Sequence, residues 1–124
     1  MTHKILIIDD SEVARLKLRN VLSQKNFEIV EAVSGAEGLQ MLEKHKDVAL
    51  ILCDVNMPEM DGMTMCSILR TKEEYNDIPI IMVTTETSAD MKQRGRELNI
   101  LAWATKPINP EKIAQVIIRQ IGQK

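Results

Sequence analysis

Three acids, a hydroxyl and a lysine stand where short apolar runs of this sequence end. Asp9 and Asp10 follow the first run, Asp54 the third, Thr84 the fourth and Lys106 the fifth. Two carboxylates about 4 Å apart repel each other by roughly 4 kcal/mol at an effective dielectric constant near 20, so acids gathered in one place need a counter-charge. Because the set contains only oxygen ligands and no His or Cys, it predicts a site for Mg²⁺.

The same set of residues could support phosphoryl transfer. A carboxylate such as that of Asp54 can attack phosphorus and form an aspartyl phosphate if other groups take up the charge of the phosphoryl oxygens. Mg²⁺ could take one oxygen, the Lys106 ammonium a second and the Thr84 hydroxyl a third. The sequence therefore offers one group for each oxygen, provided that the fold brings these residues together.

The elements that must position these residues alternate along the chain. The all-apolar segment 48–53 is typical of a strand buried on both faces, and it ends at an acid. Further strands are predicted at 4–8, 27–33, 80–83 and 100–104, the second of them at an edge of the sheet. Helical spacing of apolar residues predicts helices at 11–22, 36–46, 62–70, 88–98 and 110–121, with Ser11 as a cap, Asn99 as a stop and Pro110 as a start.

Five strands that alternate with five helices predict an α/β fold with a parallel sheet and helices on both of its faces. The carboxyl ends of parallel strands lie at one edge of the sheet, which is where open α/β sheets bind their ligands. The acids, the threonine and the lysine should therefore meet there. The fourth helix has the weakest apolar stripe and is expected to be the least firmly held.

Composition narrows the class of protein. The 124 residues, 44% hydrophobic and 27% charged, fit one globular domain over residues 1–124. A net charge of -2 and an aromatic content of 2% argue against direct binding of nucleic acid. No run is long enough to insert into a membrane, and Cys53 and Cys66 lack ligand or disulfide spacing, so a reducing, cytoplasmic setting is expected.

The order and spacing of these residues resemble the response regulator receiver domain over nearly the whole chain, in its single-domain chemotaxis (CheY-like) type. The residues that carry the resemblance are Asp9-Asp10, Asp54 with Met57-Pro58 and Asp61-Gly62, Thr84, and Lys106-Pro107. The resemblance implies a flavodoxin-like (CheY-like) fold with strand order 2-1-3-4-5. It also implies a phospho-acceptor of a two-component signalling system that is not an enzyme, apart from catalysing its own phosphorylation and dephosphorylation.

By this resemblance Asp54 accepts the phosphoryl group from a phosphohistidine of a sensor histidine kinase. Asp10 and Asp54 bind Mg²⁺ directly, Asp9 binds it through water, and Asn56 contributes its backbone carbonyl. The side chains of Asn56 and Glu86 face the path of the water that removes the phosphoryl group, a step that a phosphatase can assist.

The resemblance further implies a switch. Thr84 moves toward the phosphoryl group, Trp103 turns inward, and the surface of the fourth helix, fifth strand and fifth helix changes for a downstream protein such as a flagellar motor switch protein. Two residues depart from the family pattern. Thr85 replaces a smaller residue and is expected to affect dephosphorylation or partner access. Trp103 replaces a smaller aromatic residue, so it can be hinged or permanently exposed.

Other functions remain open from the sequence alone. The chain could be a stand-alone phosphorelay intermediate or a regulator of another kinase. A phosphatase that forms an aspartyl phosphate usually has a second acid two residues after the nucleophile, where this chain has Asn56. A flavodoxin-like cofactor binder would need a Ser/Thr/Gly-rich phosphate loop after the first strand, where this chain has Asp9 and Asp10.

Overall fold

The computed structural model of the chain describes residues 3–85 and 88–122. Within them the elements are β1 (Lys4–Ile8), α1 (Glu12–Gln24), β2 (Glu28–Ala32), α2 (Gly35–Lys44), β3 (Val48–Asp54), α3 (Gly62–Arg70), β4 (Ile80–Thr84), α4 (Ala89–Glu97), β5 (Ala102–Thr105) and α5 (Pro110–Ile121). The strands pair in parallel in the order β2-β1-β3-β4-β5. The predicted α/β class, strand order and edge position of β2 are confirmed.

The two faces of the sheet bury separate apolar clusters, because successive strand residues point to opposite sides. Leu6, Ile8, Ile51 and Cys53 belong to the cluster that includes residues of α2 and α3. Their neighbours in the same strands belong to the cluster that includes residues of α1 and α5; these are Ile5, Ile7, Leu50 and Leu52. Helices therefore cover both faces, and the carboxyl edge of the strands stays open to solvent for a site.

Every helix begins after a polar residue whose side chain accepts a hydrogen bond from the backbone N–H three residues later. These capping residues are Ser11, Ser34, Asp61, Ser88 and Asn109. Asp61 and Ser11 each follow a strand end directly or through a short loop, so the caps fix where the chain turns at the open edge. In the described part of the chain, no helix has the length and apolar character needed to cross a bilayer.

Two boundaries differ from the prediction at positions that matter for the site. Asp54 is the last residue of β3 and pairs in register with Val83, so its backbone is held inside the sheet. At the other boundary, β5 starts at Ala102 because the N–H of Ile100 bonds to the carbonyl of Gly95 and closes the last turn after α4. Asn99 adopts the predicted left-handed conformation there, with φ of 57°.

The carboxyl end of α4 is held by an arginine as well as by apolar packing. Gly95 is the one buried residue of α4, all of whose residues are described. Beyond the helix, the Arg70 guanidinium donates to the carbonyls of Leu98 at 2.7 Å and Asn99 at 3.2 Å. The same group also reaches three carbonyls of the segment between α3 and β4, those of Tyr75, Asn76 and Ile78.

We expect Arg70→Met to lower the free energy of unfolding by about 3 kcal/mol, because several partly buried carbonyls lose a charged donor. Urea unfolding monitored by circular dichroism measures this loss. Arg96→Met is the matched control, since Arg96 is exposed and Gln93 is the one described partner of its guanidinium. Equal stabilities of the two variants would contradict the prediction.

Candidate functional site

The open edge of the sheet brings the predicted residues together. Asp9 follows β1, Asp54 ends β3 and Thr84 ends β4, while Lys106 follows β5 and donates its backbone N–H to the Thr84 carbonyl at 2.8 Å. Because β1 and β3 are neighbours, as are β4 and β5, these strand ends form one continuous edge. Asp10 lies in the turn after Asp9 and is exposed. The predicted convergence of acids and lysine is therefore observed.

The three acids form a compact set of oxygen donors. One carboxylate oxygen from each of Asp9, Asp10 and Asp54 lies within 4.8 Å of the other two. Asp9 and Asp54 are 3% and 2% exposed, which is rare for acids unless they are paired or bind a cation. An all-oxygen set with two buried carboxylates suits Mg²⁺ and disfavours zinc, which prefers nitrogen and sulfur.

The Asp54 carboxylate is fixed from both sides. Its Oδ1 accepts the backbone N–H of Asn56 at 3.2 Å, and its Oδ2 lies 3.2 Å from Lys106 Nζ. The same ammonium lies 3.6 Å from Oδ2 of Asp9. Lys106 thus pairs with the carboxylates of Asp9 and Asp54. Asp10, the third acid, is exposed.

One lysine does not neutralise a cluster of three acids. Burial and then the charge of Asp9 raise the pKa of Asp54 above its ordinary value, although the Asn56 N–H and Lys106 oppose the shift. Burial alone would lower the pKa of Lys106, but the charges of Asp54 and Asp9 outweigh the effect of burial and raise that pKa. Both pKa values are raised, which favours the charged form of Lys106 and disfavours that of Asp54, since Lys106 faces two acids while Asp54 faces one base and one acid. The site keeps an excess of negative charge that a divalent cation would relieve.

A glycine presses directly against the backbone of Asp54. A Cβ at Gly62 would overlap the Asp54 carbonyl oxygen and approach its carbonyl carbon to 3.1 Å. The Gly62 N–H also bonds to the Val55 carbonyl at 3.0 Å, which draws the start of α3 against the end of β3. The sequence indicates a turn at Asp61-Gly62, but nothing in it reveals that this glycine touches the end of the central strand.

Asn56 and Thr85 follow the ends of β3 and β4, and both are exposed. The Asn56 side-chain amide donates to the Thr85 hydroxyl at 3.5 Å. The extra hydroxyl of Thr85 thus has a described partner, and that partner is the side chain predicted to face the attacking water. Glu86, the other residue of that prediction, lies outside the described residues.

Trp103 is half-buried and so is not fully exposed, while its inward turn on activation stays a prediction. Its indole packs against the α2–α3 side of the core and against Gly95 of α4, where a Cβ would come within 2.6 Å of Cζ2. Thr84 lies one strand away and is 1% exposed, with its Oγ1 in a buried setting. A glycine inside α4 is thereby explained, because the indole needs the space that a side chain would fill.

Comparison with known proteins identifies what this arrangement belongs to. Residues 5–118 match the family model described as the response regulator receiver domain. The chain is 32% identical over 120 residues to the chemotaxis protein CheY homolog of Campylobacter jejuni, covering 96% of this chain and 92% of the homolog. It is 35% identical over 118 residues to the sensor histidine kinase CheAY of Helicobacter pylori, covering 94% of this chain and 15% of that kinase. Among solved structures it resembles the chemotaxis protein CheY4 of Vibrio cholerae with a TM-score of 0.89 at 34% identity, covering 96% and 98% of the two chains.

Proposed function

The chain belongs to the response regulator receiver domain family of two-component systems, and from this premise we propose that Asp54 accepts a phosphoryl group from a histidine kinase. The observation that carries the proposal is the Asp54 carboxylate itself, which is 2% exposed, lies 3.2 Å from Lys106 Nζ and shares its site with two further acids. The kinase partner is supported by the match to a segment of a protein named as a sensor histidine kinase.

The chemistry needs few groups. A carboxylate oxygen of Asp54 forms a bond to phosphorus while the bond from phosphorus to the donor's imidazole nitrogen breaks, and the imidazole keeps that electron pair and takes up a proton. Lys106 is placed to pair with a phosphoryl oxygen, and Thr84 is the nearby hydroxyl at the end of β4. Asp9, Asp10, Asp54 and the Asn56 carbonyl would hold Mg²⁺, which when bound supplies positive charge for the phosphoryl oxygens.

The product would act as a signal. We expect Thr84 and Trp103 to link the phosphoryl group to the surface formed by α4, β5 and α5, which would then bind a downstream protein. The likeness to proteins named for chemotaxis favours a flagellar motor switch protein as that partner, with a separate phosphatase ending the signal. In this proposal the chain turns over no other substrate and works in the cytoplasm, where its thiols Cys53 and Cys66 stay reduced.

Acetyl phosphate with Mg²⁺ tests the acceptor role without the kinase. The intact protein should gain the mass of one phosphoryl group, and borohydride reduction followed by peptide mass spectrometry should locate it at Asp54. Berylliofluoride with Mg²⁺ should change the fluorescence of Trp103, the single tryptophan. Absence of phosphate on Asp54 under these conditions would refute the proposal.

The output partner needs a separate experiment. A pull-down that compares berylliofluoride-activated protein with unactivated protein should recover the partner in the activated sample only. Recovery of a flagellar switch protein would support chemotaxis, and recovery of a histidine-phosphotransfer protein would support a phosphorelay instead.

We expect Thr85→Ala to accelerate loss of the phosphoryl group about threefold, a change of under about 1 kcal/mol in the barrier. The substitution removes the described acceptor of the Asn56 amide and leaves a smaller side chain beside it, so water should reach Asp54 more easily. The decay of labelled protein after removal of acetyl phosphate measures the rate. Thr64→Ala is the control, because Thr64 is exposed on α3. Unchanged or slower decay in Thr85→Ala would contradict the prediction.

A further inference from the structure

The Asp9-Asp10 turn is held by contacts of both the backbone and the side chain of Asp9. The Asp9 N–H donates to the Ala32 carbonyl at 3.1 Å, and its Oδ1 accepts the Ser11 N–H at 2.8 Å. Its Oδ2 lies 3.6 Å from Lys106 Nζ. The Asp9 carbonyl lies beyond the last residue of β1, and it accepts from Nη1 of Arg15 at 2.6 Å.

Arg15 is itself anchored, so that it can hold this carbonyl in one direction. Its Nε donates to Glu31 Oε1 at 3.1 Å, and its side chain is 12% exposed. Glu31 Oε2 accepts from Arg19 Nη1 at 2.6 Å. The planar guanidinium therefore spans from β2 to the Asp9-Asp10 turn, and a planar group with two fixed contacts has little freedom to rotate.

We propose that Arg15 is a positioning residue for Mg²⁺ binding that acts through the Asp9 carbonyl on the orientation of Asp10; this rests on the function proposed above. The Asp9 carbonyl belongs to the peptide plane that leads into Asp10, so fixing it fixes where the exposed Asp10 carboxylate starts. Mg²⁺ demands near-ideal octahedral geometry at short distances, so misdirection of one carboxylate weakens its binding.

The charge of Arg15 and its positioning contacts predict opposite effects of its removal on the affinity for Mg²⁺. A guanidinium near a cation site weakens cation binding by repulsion, so its removal would tighten Mg²⁺ binding if charge were its only effect. Here the Glu31 carboxylate, 3.1 Å from Arg15 and shared with Arg19, offsets part of that charge. The positional contribution then dominates, and removal of Arg15 weakens binding.

Calorimetric titration with MgCl₂ alone separates these effects in four proteins. Arg15→Gln removes both charge and contact, whereas Arg15→Lys keeps the charge but cannot span both partners. Each should weaken Mg²⁺ binding about tenfold, as losses of supporting contacts at metal sites do. Arg19→Gln is the matched control, because Arg19 bonds to the same Glu31. Its affinity for Mg²⁺ should stay within about twofold of that of the unmodified chain.

Labelling by acetyl phosphate gives a second readout. At saturating Mg²⁺ the rate for Arg15→Gln should return to near that of the unmodified chain, which general damage to the fold would not allow. Equal or tighter Mg²⁺ binding in Arg15→Gln would overturn the inference, as would an equal loss in Arg19→Gln. Failure of the unmodified chain to bind Mg²⁺ would instead overturn the proposed function, and the two failures are distinguished by that protein alone.

Discussion

The Asp54→Asn variant is expected to take up no phosphoryl group and yet to unfold at a higher temperature than the unmodified chain when Mg²⁺ is absent. The loss of labelling follows because an amide cannot act as the nucleophile. The gain in stability follows from the site's charge. Burial and the neighbouring Asp9 raise the pKa of Asp54, so its ionised form is less favourable in the folded chain than in the unfolded one.

The sign of the pH dependence follows from that raised pKa. The ordinary value is 3.8, and between it and the raised value the folded chain binds more protons than the unfolded chain does. Any stability that this group contributes is present below pH 3.8 and is lost as the pH rises through the folded pKa. At neutral pH Asp54 therefore carries a cost, and a neutral Asn of the same shape removes it.

Thermal unfolding followed by circular dichroism checks the prediction. We expect a Tm about 3 °C higher for Asp54→Asn in chelator, and a smaller difference in Mg²⁺, because Mg²⁺ stabilises only the chain that binds it well. Asp77→Asn is the matched control, since Asp77 is an exposed acid between α3 and β4. A lower Tm for Asp54→Asn in chelator, or labelling that persists, would contradict the prediction.

The sequence was sufficient to predict the fold and the meeting of the acids, because both depend on repeated patterns. Four apolar runs that each end in a polar residue, with a more polar strand at the edge, indicated a parallel sheet and its ligand-binding edge. Asp54 was found because it ends a fully apolar central strand, at the edge where open α/β sheets bind their ligands. Residue types indicated Mg²⁺ and phosphoryl chemistry, whereas the strand order that makes the strands of Asp9 and Asp54 neighbours was implied by the family resemblance.

The contacts that depend on one side chain meeting a distant one could not be predicted. Arg15 occupies a polar position of α1, and nothing in its neighbours indicates that it reaches the Asp9 carbonyl. Trp103 could not be placed without knowing that α4 offers Gly95 beneath it. The predicted start of β5 was wrong because Ile100 belongs to the turn after α4. Ile100 is apolar because it packs against the core there, not because it pairs in a strand.

The Gly62→Ala variant is expected to show the second large effect, a loss of stability. Helix propensity alone would predict a gain in stability instead. Gly62 is the first residue of α3, and Ala in a helix is favoured over Gly by about 1 kcal/mol. The added Cβ, however, would overlap the Asp54 carbonyl oxygen. That oxygen belongs to a strand paired with β1 and β4, so it cannot move aside as a flexible side chain could.

We expect Gly62→Ala to lower the free energy of unfolding by about 2–3 kcal/mol, the usual cost of overpacking a rigid core. Because the displaced atoms are those of the acceptor residue, labelling by acetyl phosphate should also slow about tenfold even where the protein is fully folded. Urea unfolding and the labelling rate under native conditions measure the two effects.

Gly35→Ala supplies the matched control, because Gly35 is likewise the first residue of a helix that follows a capping residue. A Cβ there would meet Met60, with Sδ at 2.9 Å and the backbone oxygen at 3.2 Å. A methionine side chain can rearrange, so this variant should lose under about 1 kcal/mol and keep its labelling rate. If Gly62→Ala were as stable as Gly35→Ala and labelled as fast, the contact between α3 and the acceptor strand would not constrain the site. If labelling slows in Gly62→Ala but not in Gly35→Ala, the close contact of α3 with β3 determines where the Asp54 carboxylate lies.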